Sequence, residues 1–309
     1  MKAFVTATDT APPWADFEKM VAGRNAAMRN APLTYLVLTT ASLIESFAAS
    51  QGAKVLSRTG RIERDTIPRL YETGAMVRDL LLEDQARPGG LGHTALLKVR
   101  LLHAHVRRFI RKSPSWDAAT WGEPVNQMDM VGTLLMFSLV LARGIQTLGV
   151  ALTAEEKDSW SHLWRYAGYM LGVDAEATFT TLNEEVALHA LIAEHHYRPD
   201  EISRSLALAV LDGLSGEPPF FLPKEALYAL TRHLLGDKLG DDFQLPRSRR
   251  WAAFVRAFST SWHQLDRIQR RVPMGEQVAL RAGHAFVEFH RWRVLRSGPL
   301  RAYVFRTAP

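Results

Sequence analysis

The sequence predicts an all-α protein, and three observations support this fold class. Apolar side chains recur with the 3.6-residue period of a helix along most of the 309 residues, whereas alternation with period two is not convincing in any segment. Helix start signals precede the periodic segments, as in the capping-box pair Thr153 and Glu156. Segments rich in glycine and proline separate them. Together these signals indicate helices joined by short loops.

Capping residues and loop segments along the chain separate ten predicted helices. The segment RPGGLG (87–92) separates the second helix from the third, and SPSWDAATWGEP (113–124) ends the third. Thr153 opens the fifth helix, Asp200 opens the seventh, and GEPPFFLP (216–223) precedes the eighth. The predicted ranges are 33–51, 66–84, 94–112, 125–148, 154–171, 182–196, 201–214, 223–235, 247–270 and 275–293.

The organisation into domains follows from the same pattern. The chain shows no internal repeat and no linker long enough to require a domain boundary. We therefore expect an N-terminal arm over residues 1–32 and a single all-α domain over residues 33–309.

Composition excludes several classes of protein. The chain has no cysteine, which excludes disulfides, zinc–thiolate sites, thiolate-ligated haem, iron–sulfur clusters and cysteine nucleophiles. Its first residues, MKAFVTATDTAPPWADF, lack the apolar core of a signal peptide. The apolar run at 33–44 is too short to span a bilayer. We therefore expect a cytoplasmic protein.

Positive charge is concentrated at the C-terminus. The segment Arg247–Pro309, here called the Arg-rich region, contains thirteen arginines and three acids, a net charge of +10 within a chain of net charge +6. Its interleaved aromatic residues are Trp251, Phe254, Phe258, Trp262, Phe286, Phe289 and Trp292. Arginines and aromatics together suit an anionic membrane surface, which predicts a membrane-peripheral protein. A solvated helical face with core aromatics explains the same residues, and nucleic acid is the less favoured partner.

The predicted helix over 94–112 contains a histidine flanked by two arginines. At 100° per residue, Arg100 and Arg107 fall on the same side as His103, among Leu96, Val99, Val106 and Ile110. His105 falls on the other side, near solvated cations. Buried guanidinium groups require anionic partners, which are either carboxylates of other helices or an anionic ligand. A haem fits the second case, with an imidazole for the iron and arginines for the propionates.

The predicted helix over 66–84 could form a second side of the site that contains His103. Arg69 and Thr73 are four residues apart and share a face with three apolar side chains, and Glu72 lies beside them. Alone, this pattern indicates an amphipathic helix with an incidental hydroxyl. Next to the helix of His103, the three polar groups could face dioxygen or a substrate. The sequence contains no phosphate-binding glycine loop, G-x-S-x-G, H-E-x-x-H or paired Glu-x-x-His motif.

Four ordered blocks resemble a known family. These are GAKVLSRTGRIERDTIPRLYETG (52–74), LLKVRLLHAHVRRFI (96–110), EPVNQMDMVGTLLMFS (123–138) and WRYAGYMLGV (164–173). In order and spacing they resemble the superfamily of latex clearing protein and the MpaB-type oxygenases. The resemblance implies a globin-like helical core around a haem b, with additional helices.

The resemblance also implies roles for single residues. The axial haem ligand corresponds to His103, with Arg100 and Arg107 beside it, and the distal arginine and threonine correspond to Arg69 and Thr73. In the rubber oxygenase a lysine beside that threonine can ligate the distal iron. Here that position is Glu72, so we expect this chain to lack the lysine-closed state. The sequence further suggests Arg165, which follows Trp164, as a propionate partner.

These observations predict a haem b-dependent oxygenase. It would use O₂ on an apolar, alkene-containing small molecule, and family analogy implies oxidative cleavage of a C=C bond. Thr73 and Arg69 would hydrogen-bond dioxygen, and Glu72 or Glu45 would act as a base. Two alternatives remain open. One is a non-catalytic haem protein such as a gas sensor or carrier, and the other is an all-α module that docks on anionic membrane or nucleic acid.

Overall fold

The structure, a computed structural model, describes Thr8 and residues 10–296. Within these residues it contains helices and no strand, apart from an isolated bridge between Ala49 and Tyr197, which confirms the all-α prediction. The α-helices are α1 (Met20–Arg29), α2 (Ala31–Val37), α3 (Leu43–Ser46), α4 (Ser50–Thr59), α5 (Arg61–Arg64), α6 (Thr66–Leu81), α7 (Leu91–Arg111), α8 (Ala118–Trp121), α9 (Gln127–Leu135), α10 (Leu141–Thr147), α11 (Ala154–Leu171), α12 (Leu182–His196), α13 (Glu201–Gly213), α14 (Lys224–Asp242), α15 (Arg249–Arg271) and α16 (Gly275–Arg296).

Most predicted helices are present with bounds close to those expected. Helices α11 and α12 begin and end where the sequence predicts. The predicted capping box forms, because Thr153 Oγ1 accepts from Glu156 N at 3.1 Å and Glu156 Oε2 accepts from Thr153 N at 2.8 Å. Helix α14 continues beyond its predicted end through a kink at Gly236, whose φ is 83°. Local signals therefore determine most of these boundaries.

The helix predicted over 33–51 is interrupted, and a further helix follows it. It ends at Ser46, and α4, which was not predicted, begins at Ser50. The carbonyl of Ala48 accepts a hydrogen bond from Arg198 N at 2.9 Å, and Ala49 pairs with Tyr197. The backbone of 47–49 is thus bonded to a segment about 150 residues away in sequence, a contact that the local pattern does not contain.

The predicted N-terminal arm is wrong for residues 20–32, because they form helices of the core. Helix α1 packs closely on α11, where Gly23 N donates to Ser159 Oγ at 2.6 Å. A Cβ atom at Gly23 would lie 2.3 Å from Trp160 N, so only glycine permits this approach. Residues 1–7 and 9 of the arm lie outside the described residues.

Two π-helical segments meet near the centre of the core. They are Leu38–Ser42, between α2 and α3, and Met136–Val140, between α9 and α10. The carbonyl of Ser138 accepts from Trp160 Nε1 at 3.0 Å. The continuous run Gln127–Thr147 is long and apolar enough to cross a membrane, but 61% of its apolar window is buried inside the protein. It is packed as a core helix.

The Arg-rich region forms the helices α15 and α16, which contact each other. Of the seven aromatic residues named above, four pack against the hydrophobic core: Trp251, Phe258, Trp262 and Phe286. The prediction of aromatics interleaved on the surface is therefore wrong for these four. The exposed ones are Phe254, Phe289 and Trp292. The last part of the region, residues 297–309, lies outside the described residues.

Candidate active site

Helix α7 places His103 on its inner face. Leu96 and Ile110 on that face are fully buried, and His103 itself is half-buried. His105 is exposed on the opposite face, as are the cations that the sequence groups with it, Lys98, Arg108 and Lys112. The long helix packs against α6 on one side and α11 on the other, so the inner face of α7 forms one wall of the site.

The imidazole of His103 is neutral and has a free nitrogen. Burial, together with the positive charges of Arg107 and Arg69, lowers the pKa of His103 to about 4. Its Nδ1 atom is buried and has no hydrogen-bond partner among the described residues. A neutral imidazole can bind a metal or accept a hydrogen bond from a ligand, and the nearby arginines favour a ligand that carries negative charge.

The two arginines that flank His103 bind backbone carbonyls of neighbouring elements. Arg107 Nη2 donates to the carbonyl of Val125 and contacts Met130 Sδ at 3.8 Å. Arg100 Nη1 donates to the carbonyl of Met170 at 3.4 Å. Within the described residues Arg107 has no carboxylate within ion-pair distance. A carbonyl leaves the charge of a guanidinium uncompensated, so an anionic group would be a better partner.

Helix α6, which packs against α7, carries Arg69 and Thr73. Arg69 Nη1 donates to Thr73 Oγ1 at 2.7 Å, one turn further along the helix. Burial lowers the pKa of Arg69, while the nearby Glu72 carboxylate raises it. Glu72 lies 3.7 Å from Arg69 and accepts a hydrogen bond from Arg61 Nη2 at 3.1 Å. The sequence does not indicate Arg61 as a partner of Glu72.

Arg69 and Thr73 line a small cavity of about 30 Å³, and none of the residues that line it belongs to α7. The other lining residues are Leu43, Leu56, Ile62, Thr66, Leu70 and Val210. Aliphatic side chains therefore form most of its wall, with a guanidinium and two hydroxyls as the polar groups. Such a wall suits an apolar ligand that carries one polar or reacting end.

The structure does not bring Arg165 to the His103 group. Its guanidinium carbon lies 4.1 Å from the ring centroid of Trp14, a cation–π contact with the N-terminal segment. Its Nε atom is buried without a hydrogen-bond partner among the described residues. Trp14 follows an apolar-poor segment of the sequence, which gives no signal for this contact.

A second buried polar cluster lies around Glu45, which the sequence suggests as a base. Glu45 Oε1 is hydrogen-bonded to His189 Nε2 at 2.8 Å and accepts from Tyr197 OH at 3.0 Å. Burial raises the pKa of Tyr197, and the neighbouring Glu45 charge raises it further. These bonds fasten α3 to the end of α12. Sequence reasoning missed this cluster because its members lie more than 140 residues apart.

A metal site made only of protein side chains is not found. No group of three or more His, Asp or Glu side chains within the described part of the chain is arranged to hold an ion. His103 would therefore contribute a single ligand. One axial histidine from the protein is sufficient for a haem, because the porphyrin supplies the equatorial ligands.

The fold defines an all-helical protein of the class found in latex clearing protein. The solved structure of latex clearing protein in the closed state is similar to this chain with a TM-score of 0.72 and 21% identity, over 93% of this chain and 78% of the other. The family described as ER-bound oxygenase mpaB/B′ and rubber oxygenase, catalytic domain, matches residues 21–261. The chain belongs to this oxygenase family.

A curated relative carries the same family name. The rubber oxygenase of Streptomyces sp. (strain K30) is 24% identical over 271 residues, which cover 85% of this chain. The chain spans 64% of the length of that relative. The family match begins in α1 and ends within α15, so the last part of α15 and all of α16 lie beyond the matched residues.

Proposed function

We propose that this protein is a haem b-dependent oxygenase that uses O₂ on an apolar, alkene-containing substrate and cleaves its C=C bond oxidatively. The observation that carries the proposal is the imidazole of His103, whose buried Nδ1 has no partner among the described residues and whose pKa is lowered by burial and by the charges of Arg107 and Arg69. Membership of an oxygenase family, with a curated relative named rubber oxygenase, supports the reaction class.

The residues present fit a haem. His103 would ligate the iron, and Arg100 and Arg107 would bind the propionates through charge-assisted hydrogen bonds in place of those that they donate to carbonyls. Arg165 would serve as a further propionate partner only if it left its contact with Trp14. When bound, the haem supplies the redox chemistry that activates dioxygen.

The side chains of α6 would act on the reacting oxygen atoms. The guanidinium of Arg69 donates to Thr73 Oγ1 at 2.7 Å, and the threonine hydroxyl donates to the carbonyl of Arg69 at 3.4 Å, a long hydrogen bond that it would exchange for a better acceptor. That hydroxyl and the remaining N–H groups of the guanidinium would stabilise negative charge that develops on oxygen. Glu72, held by Arg61, keeps Arg69 in place, and it would act as a base only if it left Arg61.

The aliphatic wall of the cavity supports an apolar substrate. It would exclude water from the reacting carbon atoms and leave Arg69 and Thr73 as the polar groups of the reacting end. A polyisoprene such as rubber belongs to this chemical class, and smaller isoprenoids or carotenoids do as well. The substrate class therefore rests on the character of the cavity and on the name of the curated relative.

We propose in addition that the Arg-rich region docks peripherally on anionic membrane. Its charge of +10 and the exposed side chains of Phe254, Phe289 and Trp292 support this partner. An apolar substrate that is carried in lipid would give such docking a purpose.

The function is tested by spectroscopy and oxygen uptake on the purified protein. We expect a Soret band that is lost in His103→Ala and retained in the matched control His105→Ala. With an isoprenoid or carotenoid, we expect O₂ consumption and carbonyl products. A haem protein that consumes no O₂ with such alkenes would be the non-catalytic alternative, and loss of the Soret band only in His105→Ala would contradict the assignment of the ligand.

A further inference from the structure

Exposed apolar side chains are concentrated where α15 joins α16. We call this part of the molecule the hairpin tip, residues 265–281. Its exposed apolar side chains have exposed fractions of 49–63% and are Leu265, Ile268, Val272, Met274 and Val278. Three of them, at 265, 268 and 272, recur at i, i+3 and i+7 and therefore share one helical face.

The hairpin tip presents positive charge without compensating negative charge. Arg267, Arg271 and Arg281 are exposed, and none of them has an ion pair within the part of the chain that the structure describes. The acids of the tip, Asp266 and Glu276, are both engaged by Arg270, at 3.1 and 3.4 Å. The charge offered to a partner is therefore cationic.

The tip is attached firmly to the body of the protein. Arg270 donates to Glu156 of α11 at 3.2 Å as well as to Asp266, whose side chain is fully buried. Asp266 Oδ2 also accepts from the backbone of Ala151 at 3.0 Å. The inner face of α15 is thus fixed by buried ion pairs, while its outer face and the turn to α16 remain in solvent.

We propose that the hairpin tip is the membrane-contact site and that its partner is a bilayer containing anionic phospholipids. Guanidinium groups bind phosphate oxygens, and apolar side chains beside them enter the region between headgroups and acyl chains. The inference rests on the proposed docking of the Arg-rich region. It assigns the contact with the membrane to the end where α15 and α16 meet, instead of to the exposed aromatic side chains of the region. The tip lies beyond residues 21–261, so it is not part of the shared catalytic domain.

Charge complementarity favours a lipid surface over a second copy of this chain. Two copies that met tip to tip would bring six uncompensated arginines together, three from each chain, which costs free energy unless anions separate them. An anionic bilayer compensates the same arginines and covers the apolar side chains at once. Each basic residue near such a surface strengthens binding by roughly fivefold.

The test uses the 309-residue haem-loaded chain and co-sedimentation with vesicles. Binding to vesicles of phosphatidylglycerol and phosphatidylcholine should exceed binding to phosphatidylcholine alone and should decrease with added salt. Arg267→Gln/Arg271→Gln should weaken binding about thirtyfold, and Ile268→Asn/Val272→Asn should weaken it at least about tenfold. All four positions are in solvent, so the melting temperature and the Soret band should remain unchanged.

Two control variants separate this site from the wider region. Arg249→Gln/Arg250→Gln removes two exposed arginines at the opposite end of α15, and Leu191→Asn removes an apolar side chain that is 52% exposed on α12. Both should bind like the unaltered chain. If only Arg249→Gln/Arg250→Gln loses binding, the region docks but the hairpin tip is not the site.

Two further results would overturn the inference. No binding of the unaltered chain to anionic vesicles at low salt would end both the docking proposal and the inference. Sedimentation equilibrium without vesicles gives the other result: a dimer that dissociates in Ile268→Asn/Val272→Asn would show that a second copy covers the tip.

Discussion

At the scale of single residues, the site is defined by groups whose polar partners are incomplete. His103 Nδ1 has no partner among the described residues, and Arg107 is satisfied only by a carbonyl and a sulfur atom. Glu72, by contrast, is held by Arg61 and Arg69. Both incomplete groups lie on α7, so a ligand that completes them would bind beside this helix. The ion pairs of Glu72 already account for its charge.

The hydroxyl of Thr73 gives the residue-scale prediction. Thr73→Val keeps the volume of the side chain but removes the acceptor of Arg69 and the donor to the reacting oxygen. We expect normal haem content and turnover lower by roughly 100-fold, the effect of removing one donor that stabilises developing charge. The measurement is O₂ uptake with an alkene at equal haem concentration.

The matched control is Thr66→Val. Thr66 lines the same cavity, but its hydroxyl donates a short hydrogen bond to the carbonyl of Ile62 in the preceding turn, whereas the bond from Thr73 to the carbonyl of Arg69 is long, at 3.4 Å. We expect this variant to turn over at close to the unaltered rate. Equal turnover in Thr73→Val and the unaltered protein would show that Thr73 takes no part in the reaction.

At the scale of elements, local sequence determines helices and misses the contacts that interrupt them. Helices α11 and α12 are predicted to the residue because capping residues and apolar period agree. The break at 47–49 depends on Arg198 and Tyr197, which are distant in sequence. Helix α1 was mistaken for part of an arm because its sequence is short and rich in small and polar residues, so its apolar period is weak.

The close packing of α1 on α11 gives the element-scale prediction. A Cβ atom at Gly23 would lie 2.3 Å from Trp160 N and 2.6 Å from Trp160 Cα. These are backbone atoms, so Gly23→Ala must push the two helices apart. We expect the free energy of unfolding, measured with urea, to decrease by about 1–3 kcal/mol.

Gly132→Ala is the control for this prediction. Gly132 lies inside helix α9, and an added Cβ atom would meet Ile192 Cγ2 at an ordinary contact distance of 3.9 Å. The gain in helix propensity should increase the free energy of unfolding by up to about 1 kcal/mol. A Gly23→Ala variant as stable as the Gly132→Ala variant would mean that α1 does not approach α11 this closely.

At the scale of the whole molecule, the sequence predicts the two walls of the site but not what holds them. The positions of His103, Arg69 and Thr73 on inner faces follow from helical period, which is a local property. The contacts of neighbouring side chains come from elsewhere in the chain. Arg107 binds the loop before α9, and Glu72 binds Arg61, which lies on a helix that the sequence does not predict. Such contacts depend on how helices pack, which a single sequence does not contain.

A buried ion network joins the N-terminal helix, the core and the Arg-rich region. Glu156 of α11 accepts hydrogen bonds from Arg29 of α1 and from Arg270 of α15, and its side chain is 9% exposed. Burial alone would raise the pKa of Glu156, but the hydrogen bonds from Arg29 and Thr153 hold it below its ordinary value. The network therefore stabilises the fold only while Glu156 is ionised.

The last prediction follows from the sign of this shift. Because the pKa of Glu156 is lower in the folded state, its contribution is complete above the unfolded-state pKa of about 4.3 and is lost as the pH falls through the folded-state pKa. Glu156→Gln should lower the free energy of unfolding by about 3 kcal/mol at pH 7, because it removes the ionised partner of the buried Arg29, whereas Arg270 keeps its ion pairs with Asp266 and Glu276. The exposed pair of Glu201 with Arg204, 3.5 Å apart, provides the control. Glu201→Gln should change the free energy of unfolding by less than about 0.5 kcal/mol. We expect the free energies of unfolding of the unaltered protein and of Glu156→Gln, measured with urea from pH 7 to pH 3, to become more similar towards pH 3. A difference that stayed constant over this range would show that the charge of Glu156 does not hold the three elements together.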